Sequence, residues 1–180
     1  MTSPEPARVP VLVLVGPPGA GTSTVGAEIA ARRGALAIDT ERRAARELGF
    51  DDVAAAFVGV GEDVFAERER VCALAALEEA AQENGAVVVL GASVTDARVR
   101  ERLRPAVVIQ LTASLAHAAP RLGFATARPV FLGNPRALWS RLVQERQTHY
   151  DAASRASVDT DDRTIAEVAD AVEAALEEIA

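Results

Sequence analysis

Val11-Leu12-Val13-Leu14-Val15-Gly16-Pro17-Pro18-Gly19-Ala20-Gly21-Thr22-Ser23 is the stretch that decides the fold. Five consecutive Val or Leu residues without polar alternation read as a strand buried on both faces, and the run stops at a glycine. Gly, four residues, Gly, Lys, then Ser or Thr is the spacing of a phosphate-binding loop between a strand and a helix. This loop keeps every part of the pattern except lysine, which is replaced by Thr22. The glycines let backbone N–H groups converge on phosphate oxygens, and the helix start adds partial positive charge. Gly16, Gly19, Ala20, Gly21, Thr22, Ser23 and Thr24 are therefore the candidate nucleotide contacts, with the Ser23 hydroxyl at the position that binds Mg²⁺. An ordinary glycine-rich turn is the other reading, and the strand–loop–helix context argues against it.

Outward from the loop, a helix over 22–33 ends at Gly34. A short strand over 35–38 ends at Asp39. Helices are expected over 41–48 and 52–57, then a long helical stretch over 61–84 with Phe65, Val71, Leu74 and Leu77 on its apolar stripe. Further strands are expected over 86–90, 106–111 and around Ser157-Val158, with helices from about Thr95, Ala113, Pro135 and Thr164. Strands that alternate with helices imply a parallel sheet covered on both faces. The expected fold is a P-loop three-layer α/β/α domain with a five-stranded parallel sheet. It covers 11–180, after a tail over 1–10 expected to be disordered. Residues 122–134 hold glycines, prolines and an arginine without a period, and are expected to form a mobile lid.

The chain has 180 residues, enough for one core. It is 49% hydrophobic but only 4% aromatic, so that core must be aliphatic. A net charge of -7 argues against a general nucleic-acid binder. All 19 Lys and Arg residues are arginine, so no lysine is present to replace the one missing from the loop. The lone Cys72 excludes an internal disulfide and reads as a small core residue, while His117 and His149 lack neighbours at metal-ligand spacing. The apolar run is too short for a signal peptide or a membrane span, which makes the cytoplasm the expected location.

Motifs beyond the loop make the chain resemble the shikimate kinases from about Val11 to the C-terminus. Asp39-Thr40-Glu41 resembles that family's Asp-Thr/Ser-Asp after the second strand. Gly61-Glu62 with Phe65, Ala66 and Glu69 resembles Gly-Glu-x-x-Phe-Arg-x-x-Glu. Leu90-Gly91-Ala92 resembles a Gly-Gly-Gly turn, Arg128-Pro129 the Arg-Pro-Leu of the lid, and Glu145-Arg146 with Tyr150 an Arg-x-Pro-x-Tyr segment. Residues 158–163, ending at Arg163, resemble the segment flanking adenine. The resemblance implies ATP and Mg²⁺, phosphorylation of a hydroxyl on shikimate, Asp39 and Arg128 as catalytic residues, and Arg121 and Arg163 on the nucleotide. It also implies that Glu41, Gly91 and Arg146 bind a carboxylate-bearing substrate.

The departures from the family gather at the site. Thr22 stands at the phosphate lysine, Glu41 at an Asp that contacts substrate hydroxyls, and Ala66 at an Arg that holds the substrate carboxylate; Leu90 and Ala92 replace two glycines. Together they imply a catalytically impaired protein with weak nucleotide binding and a regulatory or protein-partner role. The alternative is an active ATP-dependent kinase of shikimate or a related small hydroxy acid. Several positions keep a structural alternative. Asp39 suits a helix cap as well as a site carboxylate. Arg146 suits an ion pair with Glu145, Arg70 a solvated surface charge, and Arg121 and Arg128 loop solubility. Trp139 reads as helix packing.

Overall fold

A computed structural model describes residues 9–123 and 134–179. The expected strands form a single parallel sheet: β1 (Leu12–Val15), β2 (Ala37–Asp39), β3 (Val87–Val89), β4 (Val107–Thr112) and β5 (Ala156–Asp159), in the order β2-β3-β1-β4-β5. β1 is central because its four residues are wholly buried, and Leu12 is in register with both Val87 and Val107. The chain runs from β1 to one side for β2 and β3, and to the other for β4 and β5. The loop after β1 therefore lies where the winding reverses, which is where open α/β sheets bind ligands.

Alternation along the strands divides the core into two layers. Val13, Val15, Val88 and Val108 face α4 (Glu62–Ala80), α5 (Ala97–Arg102) and α7 (Pro135–Ala153). Leu12, Leu14, Val87 and Ile109 face α1 (Thr22–Arg33) and α8 (Ile165–Ile179). This is the three-layer arrangement expected from the sequence. Gly26 lets α1 lie close to the sheet, because a Cβ there would be 2.6 Å from Val89 Cγ2. A separate cluster of Ala44, Ala45, Ala56, Phe65 and Cys72 joins α2 (Thr40–Glu47) and α3 (Val53–Val60) to α4 at the β2 edge. α6 (Leu115–Arg121) follows β4.

Two expectations need correction. The second strand is Ala37–Asp39, one residue further on than its apolar run, because Asp39 continues the ladder opposite Val89. On α4 Val71 is 47% exposed, and Cys72 takes the inward place beside Ala73, Ala76 and Leu77. The inner face of this helix also carries Glu69, which the apolar-stripe reading passes over. Among the described residues, no helix is long and apolar enough to cross a membrane. The expected tail and lid fall largely outside the described residues.

Candidate active site

The phosphate loop is formed as the glycine spacing requires. Gly19 and Gly21 have φ of 84° and 88°, the left-handed region that a side chain strains. Gly21 is the N-cap of α1 and brings no side chain to bond the first-turn amides. Thr24 N–H donates to the Gly21 carbonyl at 3.1 Å, and the N–H groups before it are left for an anion, at the positive end of the helix dipole. Thr22, Ser23 and Thr24 line the cleft in front of the loop.

Three side chains hold this loop through its carbonyls. Tyr150 Oη donates to the Gly16 carbonyl at 3.1 Å, Trp139 Nε1 to Pro18 at 2.9 Å, and Arg121 Nη1 to Gly19 at 3.0 Å. With these carbonyls engaged, the loop's peptide units are held in a fixed orientation. Trp139 is thus more than the helix packing expected from the sequence. Arg121 also donates to Thr160 Oγ1 at 3.2 Å, and Thr160 Oγ1 donates to the Thr112 carbonyl. His117 adds a second tie, between α6 and the turn before α8, by contacting Asp161 and Asp162. The hydrogen bond with Asp162 raises its pKa, and Asp161 adds to the effect.

Space opens on both sides of the loop. Toward β4 and β5, a hollow of about 200 Å³ is lined by Gly21, Thr24, Arg121, Thr160 and Arg163. Toward β2 and β3, a cleft of about 900 Å³ joins the loop to Glu41, Leu90, Gly91, Arg146 and the exposed side of α3. Arg163 borders only the first of these, Glu41, Gly91 and Arg146 only the second, and Arg121 with Gly21 and Thr24 borders both. Arg146 is in charge contact with Glu41 and Tyr150, while Glu145 pairs with Arg141 instead. Arg70 is paired with Glu67 and Asp96, and so is not free to replace an arginine at Ala66. Arg128 lies outside the described residues.

Asp39 is the helix cap that the sequence allowed, and its second oxygen is left over. Oδ1 caps α2 by accepting from Arg42 N–H at 3.0 Å. Oδ2 is buried without a hydrogen-bond partner among the described residues, and Arg42 Nε lies 3.6 Å from it. An orphaned carboxylate oxygen and the Ser23 hydroxyl are hard-oxygen donors of the kind Mg²⁺ takes.

Glu69 has a role at the site that the sequence reading does not foresee. Its buried carboxylate accepts from Thr40 Oγ1 (2.5 Å), Gly91 N–H (3.2 Å), Ser93 N–H (2.8 Å) and Ser93 Oγ (2.8 Å). It fastens the start of α2 to the turn after β3, and so shapes the floor of the cleft.

Glu41 lies over Gly91 so closely that a side chain at 91 would overlap its carboxyl group. Burial pushes the Glu41 pKa up to about 7, helped by Glu69 and Asp39 and opposed by Arg146. For a carboxyl raised in the folded state, the folded form holds the proton more tightly. The destabilising contribution is absent at low pH, grows between about 5 and 7, and is complete above that range. Glu41→Gln is therefore expected to stabilise the protein at pH 8 by about 1–2 kcal/mol, after allowing for solvent screening, and to change little at pH 5. Urea melts of both proteins at the two pH values check this, and an equal gain at both would refute it.

Comparison with known proteins agrees with this geometry. A family model described as "Shikimate kinase" matches residues 18–177. A shikimate kinase of Streptomyces avermitilis is 39% identical over 169 residues, covering 94% of this chain and 96% of that protein. A shikimate kinase of Thermobifida fusca is 37% identical over 163 residues, covering 91% and 92%. Among solved structures, the shikimate kinase of Acinetobacter baumannii in complex with shikimate superimposes with a TM-score of 0.81 at 24% identity, covering 94% of each chain. By fold, phosphate loop and sequence, this chain belongs to the shikimate kinase family.

Proposed function

We propose that this protein is an ATP-dependent phosphotransferase whose acceptor is a hydroxyl on a small carboxylate-bearing compound of the shikimate type. The observation that carries this reading is the single cleft joining the phosphate loop to Glu41, Gly91 and Arg146. The loop amides and the start of α1 bind the phosphates of ATP, with Arg121 and Arg163 beside them on the β5 side. Arg146 pairs with the acceptor carboxylate. Asp39 Oδ2 accepts the proton of the attacking hydroxyl as its oxygen bonds to the γ-phosphorus and the bond to ADP breaks. Ser23 and Asp39 would hold Mg²⁺, whose charge offsets that of the phosphates.

The second reading, a catalytically impaired protein with weak nucleotide binding that acts on a protein partner, rests on Thr22. The names of the relatives weigh toward the catalytic reading. Incubation of the pure protein with Mg²⁺-ATP and shikimate, with detection of ADP and the phosphorylated acid, tests it. Product is expected at a rate well below that of an intact family member, and Asp39→Asn is expected to lower kcat by about a hundredfold. Absence of product over long incubation, or an Asp39→Asn protein as fast as the original, would exclude this assignment.

A further inference from the structure

We infer that His117 is a positioning residue for the nucleotide, and that the protein binds nucleotide more tightly when His117 carries both ring protons. This rests on the phosphotransferase reading, which puts nucleotide in the hollow toward β4 and β5. That hollow is lined by Arg121 of α6 and by Thr160, Arg163 and Ile165, which flank the turn between β5 and α8. Its shape therefore depends on how the turn is held against α6. Two side chains of α6 hold it. Arg121 donates to Thr160 Oγ1 and, through Nη2, to the Thr160 carbonyl at 3.4 Å. His117, one helical turn earlier, reaches both carboxylates of the turn itself. Its Nε2 lies 3.0 Å from Asp162 Oδ1, and its Nδ1 lies 3.1 Å from Asp161 Oδ2. Asp161 is fixed from the other side by accepting from Ser114 N–H at 3.0 Å. Asp162 has φ of 54°, the only positive φ outside glycine among the described residues. An L-residue seldom takes that conformation without contacts that hold it, and the His117 contact is one.

An imidazole with a carboxylate at each nitrogen donates to both only as the imidazolium. The neutral ring has a single N–H. With that proton on Nε2, the ring keeps Asp162 and can accept from Ser114 Oγ at 3.0 Å, but its Nδ1 lone pair then faces the Asp161 carboxylate. With the proton on Nδ1, the ring keeps Asp161 and turns a lone pair on Asp162. Either neutral form replaces one tie by repulsion. The charged groups facing the ring are Asp161 and Asp162 from the turn, and Arg121 from its own helix. The hydrogen bond with Asp162 favours the imidazolium most, while desolvation and Arg121 oppose it, and the balance raises the His117 pKa. Loss of the proton as pH rises therefore loosens the turn that carries Arg163. By linkage, a nucleotide that favours the held turn must tighten the proton on His117 by the same factor.

The test is calorimetric titration of the full chain with Mg²⁺-ADP at pH 6 and pH 8.5, beside His117→Gln. The glutamine keeps one N–H donor and does not titrate, so it carries every other pH effect, including those of the ligand and of Glu41. Relative to this variant, the original protein is expected to lose about threefold in affinity between the two pH values, the scale of an exposed charge pair. Asp162→Asn is expected to shrink that loss. The second readout is NMR titration of the His117 ring, whose signals are those absent from His117→Gln; its pKa should rise when Mg²⁺-ADP saturates the protein. Parallel pH profiles for the original and His117→Gln would overturn the inference, as would a His117 pKa that ADP leaves unmoved. The two readings fail separately. ADP bound with parallel profiles, and phosphate still transferred from ATP to shikimate, would remove the role of His117 and leave the phosphotransferase. The expected profiles without any transfer would leave the role of His117 and remove the phosphotransferase. No ADP binding at either pH would remove both.

Discussion

Thr22→Lys is expected to tighten Mg²⁺-ATP binding by up to about a thousandfold. A unit charge about 4 Å from a phosphate oxygen contributes on the order of 4 kcal/mol at an effective dielectric of 20, and each 1.36 kcal/mol is about tenfold. Thr22 brings a hydroxyl and no charge, and the chain has no lysine to move into its place. The site has room for the change, since Thr22 lines the open cleft. The backbone part of the site is already in place, with Tyr150, Trp139 and Arg121 holding the loop through its carbonyls. The added charge therefore meets an organised set of amides. Turnover of shikimate should rise little with this change alone, because both reactants must be held in line. Ala66→Arg, at an exposed position of α4, should likewise do little alone. The double variant should do more than either. Calorimetry with Mg²⁺-ATP and steady-state kinetics check these steps. An unaltered protein that binds Mg²⁺-ATP at micromolar strength or better, with Thr22→Lys adding nothing, would show that another group supplies the charge. Arg128→Ala would then be the next variant to measure.

What can be read in the sequence follows the range of each interaction. The strand, loop and first helix are local. An aliphatic run, a glycine spacing and a helix start within about a dozen residues specify them, and all three form as read. The parallel sheet also follows, because strand–helix alternation leaves few topologies. Trp139 cannot be read this way. Its bond to Pro18 crosses 121 positions, and no property of α7 alone points to it. The sequence puts Arg121 on the nucleotide side, but its tie to Gly19, 102 positions away, becomes visible only in the fold. Val71 belongs to the apolar stripe by residue type alone; the actual inner face of α4 turns through Glu69 and Cys72. A buried glutamate is invisible to a hydrophobic period, and it belongs there only because four donors from other segments converge on it.

Glu69→Ala is expected to cost about 3–5 kcal/mol of stability, a larger effect than the gain expected from Glu41→Gln and of opposite sign. The carboxylate is 1% exposed and accepts four hydrogen bonds, from Thr40, Gly91 and both donors of Ser93. Truncation removes the acceptor and leaves the donors in place. Thr40 is fully buried and Ser93 nearly so, and water reaches neither without opening the floor of the cleft. Leaving a buried donor unpaired costs about 1–3 kcal/mol, although donors freed together partly rearrange, so the sum is not additive. Glu69→Gln keeps the shape and one acceptor oxygen but turns an N–H₂ group toward donors, and should fall between Ala and the original. At about 2–4 °C per kcal/mol for a chain of this size, Glu69→Ala should lower Tm by on the order of 10 °C. The damage should also be directional. The turn carrying Gly91 and the start of α2 carrying Glu41 lose their common anchor, whereas the phosphate loop keeps its own ties through Tyr150, Trp139 and Arg121. Acceptor binding should therefore weaken more than phosphate binding, measured calorimetrically well below the lowered Tm. A Glu69→Ala protein within about 1 kcal/mol of the original in urea melts, or one in which phosphate and acceptor affinities fall equally, would show that the carboxylate does not organise this half of the site.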